Sequence, residues 1–246
     1  MSNANNLASQ QYWDSAYRLH QFALTSKSDT IRLWIENHFR PVTGKTCFEI
    51  GCFPGNYLSV FGELGYELNG IDVTPRVEKD MPEWLSGQHF KVGSISQADI
   101  FRFKSADKYD VVCSFGFIEH FKNWKEVIKI QAGLVKKGGY IVIETPNFRG
   151  LLQHVLHYLL DHENLKRHYL PSMRPHKWEK ILKPLGFEII YCNYFEGFDY
   201  WFDKAPEEEW RKKLWEKLRY REARMRQWKP NNALYSPYCG LIAKLK

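Results

Sequence analysis

The chain has 246 residues, 44% apolar and 26% charged, with 35 Lys and Arg against 28 Asp and Glu for a formal charge of +7. Its 16 Phe, 14 Tyr and 9 Trp exclude a largely disordered chain, and no run reaches the ~20 apolar residues of a bilayer-spanning helix. Five scattered cysteines (Cys47, Cys52, Cys113, Cys192 and Cys239) with no C-x-x-C pair support neither a disulfide framework nor a zinc finger.

The opening MSNANNLASQQYWD lacks the basic and apolar stretches of an export signal. With free thiols, that makes a reducing cytoplasm the expected location. Residues 8–23 carry Tyr12, Trp13, Ala16, Tyr17 and Leu19 at helical spacing. A second helix over 29–39 is entered through Ser28 as N-cap and carries Ile31, Trp34, Ile35 and Phe39. Beyond Gly44, short apolar runs alternate with amphipathic stretches, the pattern of a parallel sheet covered by helices. Strands are expected at 46–51, 67–72, 89–93, 109–114, 140–145, 187–195 and 238–245. Helices are expected at 56–65, 76–86, 122–136, 150–161 and 174–184, with a charged helical stretch over 206–229.

The segment FEIGCFPGNYLSVFGELGYELNGID (48–72) is the most informative. A glycine-bearing loop between strand and helix lets backbone approach a ligand, and the next helix offers free N–H groups. Asp72 closes the following strand, where a carboxylate can accept both hydroxyls of a ribose. The G-x-G-x-x-G spacing of a pyrophosphate cradle is missing, because Phe53 and Asn56 stand where glycines would.

EIGCFPG (49–55) resembles the E/D-x-G-x-G-x-G loop of class I S-adenosylmethionine-dependent methyltransferases: Glu49, Gly51 and Gly55 match, and Phe53 replaces the middle glycine. GIDVTP places Asp72 at the family's ribose-binding acid. YDVVCSFGFIEHF (109–121), LVKKGGYIVIETPN (134–147) and KWEKILKPLGFEII (177–190) are similar to its later segments, in order. The likeness spans roughly residues 45–195 and is nearest to small-molecule enzymes of the ubiquinone and menaquinone type. It implies a Rossmann-like α/β fold: a seven-stranded, mostly parallel sheet with one antiparallel strand (238–245) and helices on both faces. One domain is expected, with an N-terminal helical lid (1–44), a cofactor-binding core (45–195), a basic helical insertion (196–237) and the last strand (238–246).

The resemblance implies S-adenosylmethionine as cofactor. Its contacts would be Glu49, Gly51, Cys52, Phe53, Gly55, Asn56 and Tyr57 in the loop, and Asp72 and Val73 at the ribose. Gly93, Ser94 and Ile95 would lie near adenine, Ser114, Phe115 and Gly116 near the methyl. Ser94 departs from the family's usual acid, and Phe53 narrows the loop or packs on the cofactor. In-line methyl transfer needs positioning and exclusion of water, and a hydroxyl nucleophile must also lose a proton. His120, after Glu119, is the candidate base, against the alternative that this pair only caps the next helix. Tyr12, His168, Tyr169 and Arg174 are candidates for the acceptor pocket, with Arg167 and His176 nearby; Trp13 and Tyr17 are either lid or core. No metal site is read: His154, His157 and His162 are spaced by three and five residues and do not share a helix face.

Residues 203–229 hold ten Lys and Arg (among them Lys204 and Lys229) and six acids, so +4 of the +7 lies there. Trp210, Leu214, Leu218, Met225 and Trp228 approximate one face, which would pack on the body or on a second copy as a homodimer. The other face is a solvated surface or one that attracts an anionic partner. A small-molecule, lipid or saccharide acceptor, methylated at oxygen, is the expected substrate. The alternatives are an RNA methyltransferase using the basic helix, which no RNA-binding motif accompanies, and a cofactor-binding protein without catalysis.

Overall fold

A computed structural model describes residues 5–202, 206–228 and 230–246. Seven strands form one sheet: β1 (Thr46–Ile50), β2 (Glu67–Asp72), β3 (Val92–Gln97), β4 (Tyr109–Phe115), β5 (Val135–Pro146), β6 (Phe187–Phe195) and β7 (Tyr238–Leu245). Their spatial order is β3-β2-β1-β4-β5-β7-β6. All pairings are parallel except those of β7, which runs antiparallel between β5 and β6. The expected fold is the observed one. The strand order reverses between β1 and β4, and in such sheets ligands bind at the carboxyl ends of the strands beside that point.

The inner strands are apolar nearly throughout, as burial on both faces demands. One face, with Val112, Ile141, Ile143 and Leu241, packs on α6 (Trp124–Gly133) and α9 (Pro175–Leu182). The other, with Val111, Cys113, Val142 and Ile242, packs on α2 (Thr30–His38), α3 (Asn56–Glu63) and α5 (Met81–Gly87). Ile31, Trp34 and Ile35 of α2 are therefore core residues. Of the two N-terminal helices, α1 (Gln10–Tyr17) borders both cavities described below, and α2 reaches the smaller one through Ile31. All five cysteines are free thiols.

Several boundaries differ from the sequence expectation. The cap of α2 is Asp29 rather than Ser28: its Oδ1 accepts the Arg32 N–H at 2.8 Å. Helix α1 stops at Tyr17, where Arg76 Nη1 donates to the carbonyls of Tyr17 (2.6 Å) and His20 (3.2 Å). The stretch at 76–86 is two helices, α4 (Arg76–Lys79) and α5, broken at Asp80. Strand β3 begins at Val92, because the N–H groups of Gln88, His89 and Phe90 fold back onto the end of α5. His89 takes a left-handed φ of 62° there. Strand β5 begins at Val135 rather than 140; Val135 pairs with Tyr109 and Tyr140 with Val111, so the residues between form a bulge.

Helix α7 (Leu151–Leu160) and α8 (His162–Lys166) follow β5, and α10 (Glu209–Met225) precedes β7. Trp210 of the expected apolar face is 53% exposed and Trp228 is 48% exposed, so that face is only partly covered. Lys204 and Lys229 lie outside the described residues. Among the described residues no helix is long and apolar enough to cross a membrane.

Candidate active site

At the end of β1 the chain must turn under a ligand-sized space. Gly51 has φ 75°, and a Cβ there would run into the Phe117 ring. Gly51 and Cys52 N–H groups both donate to the Ile71 carbonyl, at 2.8 and 3.1 Å, tying the loop to β2. Gly55 has φ 92° and heads α3; a Cβ there would lie 2.9 Å from the Trp84 ring. Only glycine meets both demands.

This loop floors a cavity of about 680 Å³. Glu49, Gly51, Cys52, Phe53, Gly55, Asn56 and Tyr57 line it, as do Asp72 and Val73 from β2 and Phe115 and Gly116 from β4. Asp72 accepts N–H bonds from Phe53 (3.3 Å) and Thr74 (2.9 Å). Burial pushes its carboxyl up to about 6, against the pull of those backbone bonds. Glu49 is fully buried and held well above the ordinary carboxylate range by burial and by Asp72. Its Oε2 has no protein partner.

Four expected contacts fall elsewhere. Gly93, Ser94 and Ile95 occupy the first half of β3, level with Leu68 to Gly70 of β2, because that strand starts later than the sequence suggests. The residues that reach the cavity here are Ala98, Asp99, Ile100 and Phe101, which follow the end of β3. Ser114 faces away: it is buried and donates to Gln131 Oε1 at 3.1 Å. Phe53 packs under the N-terminal segment, with its ring 5.0 Å from Tyr17 and 5.6 Å from Phe22, and the Arg76 guanidinium 5.3 Å away. The side chain in place of glycine thus anchors the segment that carries α1, and Gln10, Trp13 and Tyr17 of α1 border the cavity.

A second cavity of about 350 Å³ lies beside the first and shares Trp13, Tyr57, Phe115, Gly116 and His120 with it. Tyr12 and His168 line it, as expected positions, together with Glu119, Glu144, Arg167 and Trp201. Tyr169 and Arg174 do not. Tyr169 packs on the core and its N–H donates to the Glu119 carbonyl at 2.6 Å, while Arg174 is the N-cap residue of α9.

His120 is buried, with Nδ1 2.9 Å from the Arg167 carbonyl. A carbonyl only accepts, so Nδ1 carries the proton and Nε2 keeps its lone pair. Burial is the main reason that its pKa falls to about 4. His168 is fixed the same way by the Asn164 carbonyl, 2.7 Å from Nδ1, and burial followed by His120 holds it well below the usual range. The two rings are 4.7 Å apart. Burial pushes Glu119 up to about 8, and neither of its carboxyl oxygens has a protein partner. Glu144 is likewise held well above the ordinary carboxylate range, by burial and by Glu119, and its Oε2 accepts the Gly116 N–H at 3.2 Å.

Among the described residues, two groups of side chains bring three metal-ligating atoms together, although no metal site was legible in the sequence. Glu119, His120 and His168 each offer one such atom within 4.8 Å of the others, and so do His176, Glu179 and Cys192. Among the described residues, His154, His157 and His162 do not form such a group. His157 instead packs its ring 3.9 Å from that of Phe148.

The family described as "Methyltransferase domain" matches residues 23–191. The chain therefore belongs to that family, and it is an S-adenosylmethionine-dependent methyltransferase. Among curated proteins it is 27% identical over 194 residues to a ubiquinone biosynthesis O-methyltransferase of Paraburkholderia xenovorans (strain LB400), covering 75% of this chain and 80% of that one. A SAM-dependent methyltransferase structure from Archaeoglobus fulgidus superimposes with TM-score 0.57 at 22% identity, covering 94% of this chain and 97% of that one. The magnesium protoporphyrin IX methyltransferase of Synechocystis PCC 6803 with bound SAH gives TM-score 0.57 at 14% identity, covering 96% and 95%. The two structures share its fold.

Proposed function

We propose that the enzyme methylates an oxygen of a small hydroxylated molecule, with the cofactor in the larger cavity and the acceptor in the smaller. The observation that carries this is the shared wall: Gly116 and His120 border both cavities. The likeness to an O-methyltransferase supports the oxygen.

The residues of the larger cavity fit the cofactor. Gly51 and Gly55, whose left-handed turns and close packing on Phe117 and Trp84 exclude side chains, present bare backbone to the cavity, Asp72 offers carboxylate lone pairs for a ribose diol, and the unpartnered Glu49 Oε2 offers one more acceptor. Ala98 to Phe101 form the wall for adenine. When bound, the cofactor supplies a methyl group activated by a sulfonium.

The chain's own groups orient the acceptor and take its proton. Tyr12 and Trp13 give flat apolar walls. His120, held neutral with Nε2 unprotonated, accepts the hydroxyl hydrogen. Helix α1 covers both cavities and excludes water.

Calorimetry with S-adenosylhomocysteine and a turnover screen of phenols, catechols and sugars test the reading. His120→Ala is expected to lower kcat by roughly 100-fold or more with cofactor affinity unchanged. Wild-type turnover by that variant removes His120 as base, and no methylated oxygen on any hydroxylated acceptor overturns the proposal.

A further inference from the structure

The second cluster of ligating atoms lies outside both cavities, where α9 meets the edge strand β6. His176 and Glu179 sit one turn apart on α9, and Cys192 rises from β6 to meet them. His176 Nδ1 is 3.6 Å from Cys192 Sγ and 3.6 Å from Glu179 Oε2, and Cys192 Sγ is 3.9 Å from that oxygen. We propose that these three side chains form a zinc site that staples α9 to β6.

Spacing is the first argument. Tetrahedral zinc takes sulfur at about 2.3 Å and nitrogen or oxygen at about 2.0–2.2 Å, which sets neighbouring ligand atoms roughly 3.3–3.7 Å apart. The three atoms need to close by only a few tenths of an ångström, within reach of side-chain rotation. The donor set is the second. Thiolate, imidazole and carboxylate together suit zinc, whereas magnesium and calcium take oxygen. The third is the surrounding support. Lys183 Nζ holds Glu179 Oε1 at 2.5 Å, which fixes the carboxylate and leaves Oε2 directed at the cluster. The His176 side chain is 70% exposed, so the fourth position is open to a water.

Binding replaces the Cys192 S–H bond by an S–Zn bond and passes one proton to solvent; no oxidation is involved. The site also has a bearing on the acceptor cavity. Helix α9 starts at Pro175, a few residues after His168, which lines that cavity, and Tyr169, which holds the Glu119 backbone. A metal at the head of α9 fixes where this wall begins.

The test uses the full chain stripped with a chelator, then titrated with zinc chloride by calorimetry and with cobalt chloride by absorbance. The expected result is one equivalent bound at the site, release of about one proton, a higher melting temperature and a thiolate-to-cobalt band in the near ultraviolet. Cys192→Ser abolishes that band, and His176→Ala, a change at an exposed side chain, weakens zinc binding at least roughly tenfold. The active-site group has no cysteine, so the cobalt band distinguishes the two. A band that survives Cys192→Ser, zinc affinity untouched by His176→Ala, or no zinc bound overturns the site and leaves the methyl-transfer reading standing.

Discussion

Lowering the pH from about 8 to 5 protonates Asp72 at the rim of the larger cavity. Asp72 titrates at about 6, raised by burial. As a carboxylate it can accept two ribose hydroxyls; once protonated, one of its oxygens becomes a donor and the pair of bonds is lost. The ionised fraction is about one half at pH 6 and about one eleventh at pH 5, so apparent affinity for a diol ligand falls about twofold and then about elevenfold, or about 1.4 kcal/mol. Adenosine is the sharper probe, since it carries the diol but lacks the amino-acid end that Glu49 would meet. Calorimetry at a series of pH values should show the decline in the wild type and a weak, flat profile in Asp72→Asn. Equal affinity at pH 8 and pH 5, or an Asp72→Asn variant with the wild-type profile, refutes the assignment of Asp72 to the ribose.

Glu119→Gln should stabilise the fold above acid pH. A carboxyl raised from 4.5 to about 8 keeps its full contribution below 4.5 and loses it as pH climbs towards 8. The urea midpoints of variant and wild type should therefore separate over that window, by about 5 kcal/mol at most, and parallel curves would refute the burial argument. Arg32 is a buried cation: its Nη1 donates to the Thr25 carbonyl at 3.0 Å and its Nη2 pairs with Glu36 at 2.8 Å and with Glu63. Because both glutamates are partly exposed, Arg32→Met should cost about 2–3 kcal/mol in urea unfolding, and a cost near zero would show the pairs to be unimportant.

The parts of this fold written in contiguous residues were legible. The strands at 46–50, 67–72, 187–195 and 238–245 are apolar runs whose ends coincide with glycines, prolines or charge, and the loop with Asp72 lies within one βαβ unit. Strand β3 was misplaced because His89 and Phe90 look like strand residues but cap α5 instead. That shift carried Gly93, Ser94 and Ile95 out of the cavity and brought in Ala98 to Phe101. Strand alternation would have shown Ser114 and Phe115 pointing to opposite faces. The smaller cavity was the least legible, because Glu144, Trp201 and His168 meet only through the crossovers of the sheet. For the same reason Cys192, a lone cysteine in the sequence, gains His176 and Glu179 as neighbours only when α9 packs on β6.

Helix α1 touches both chambers, Tyr12 on the smaller, Gln10 and Tyr17 on the larger, and Trp13 on both. Traffic through the two is thereby coupled. With acceptor and cofactor placed as proposed, an excursion of this helix that releases one product loosens the other, and departure of the two becomes one diffusive event. Where that event limits turnover, its rate scales inversely with solvent viscosity.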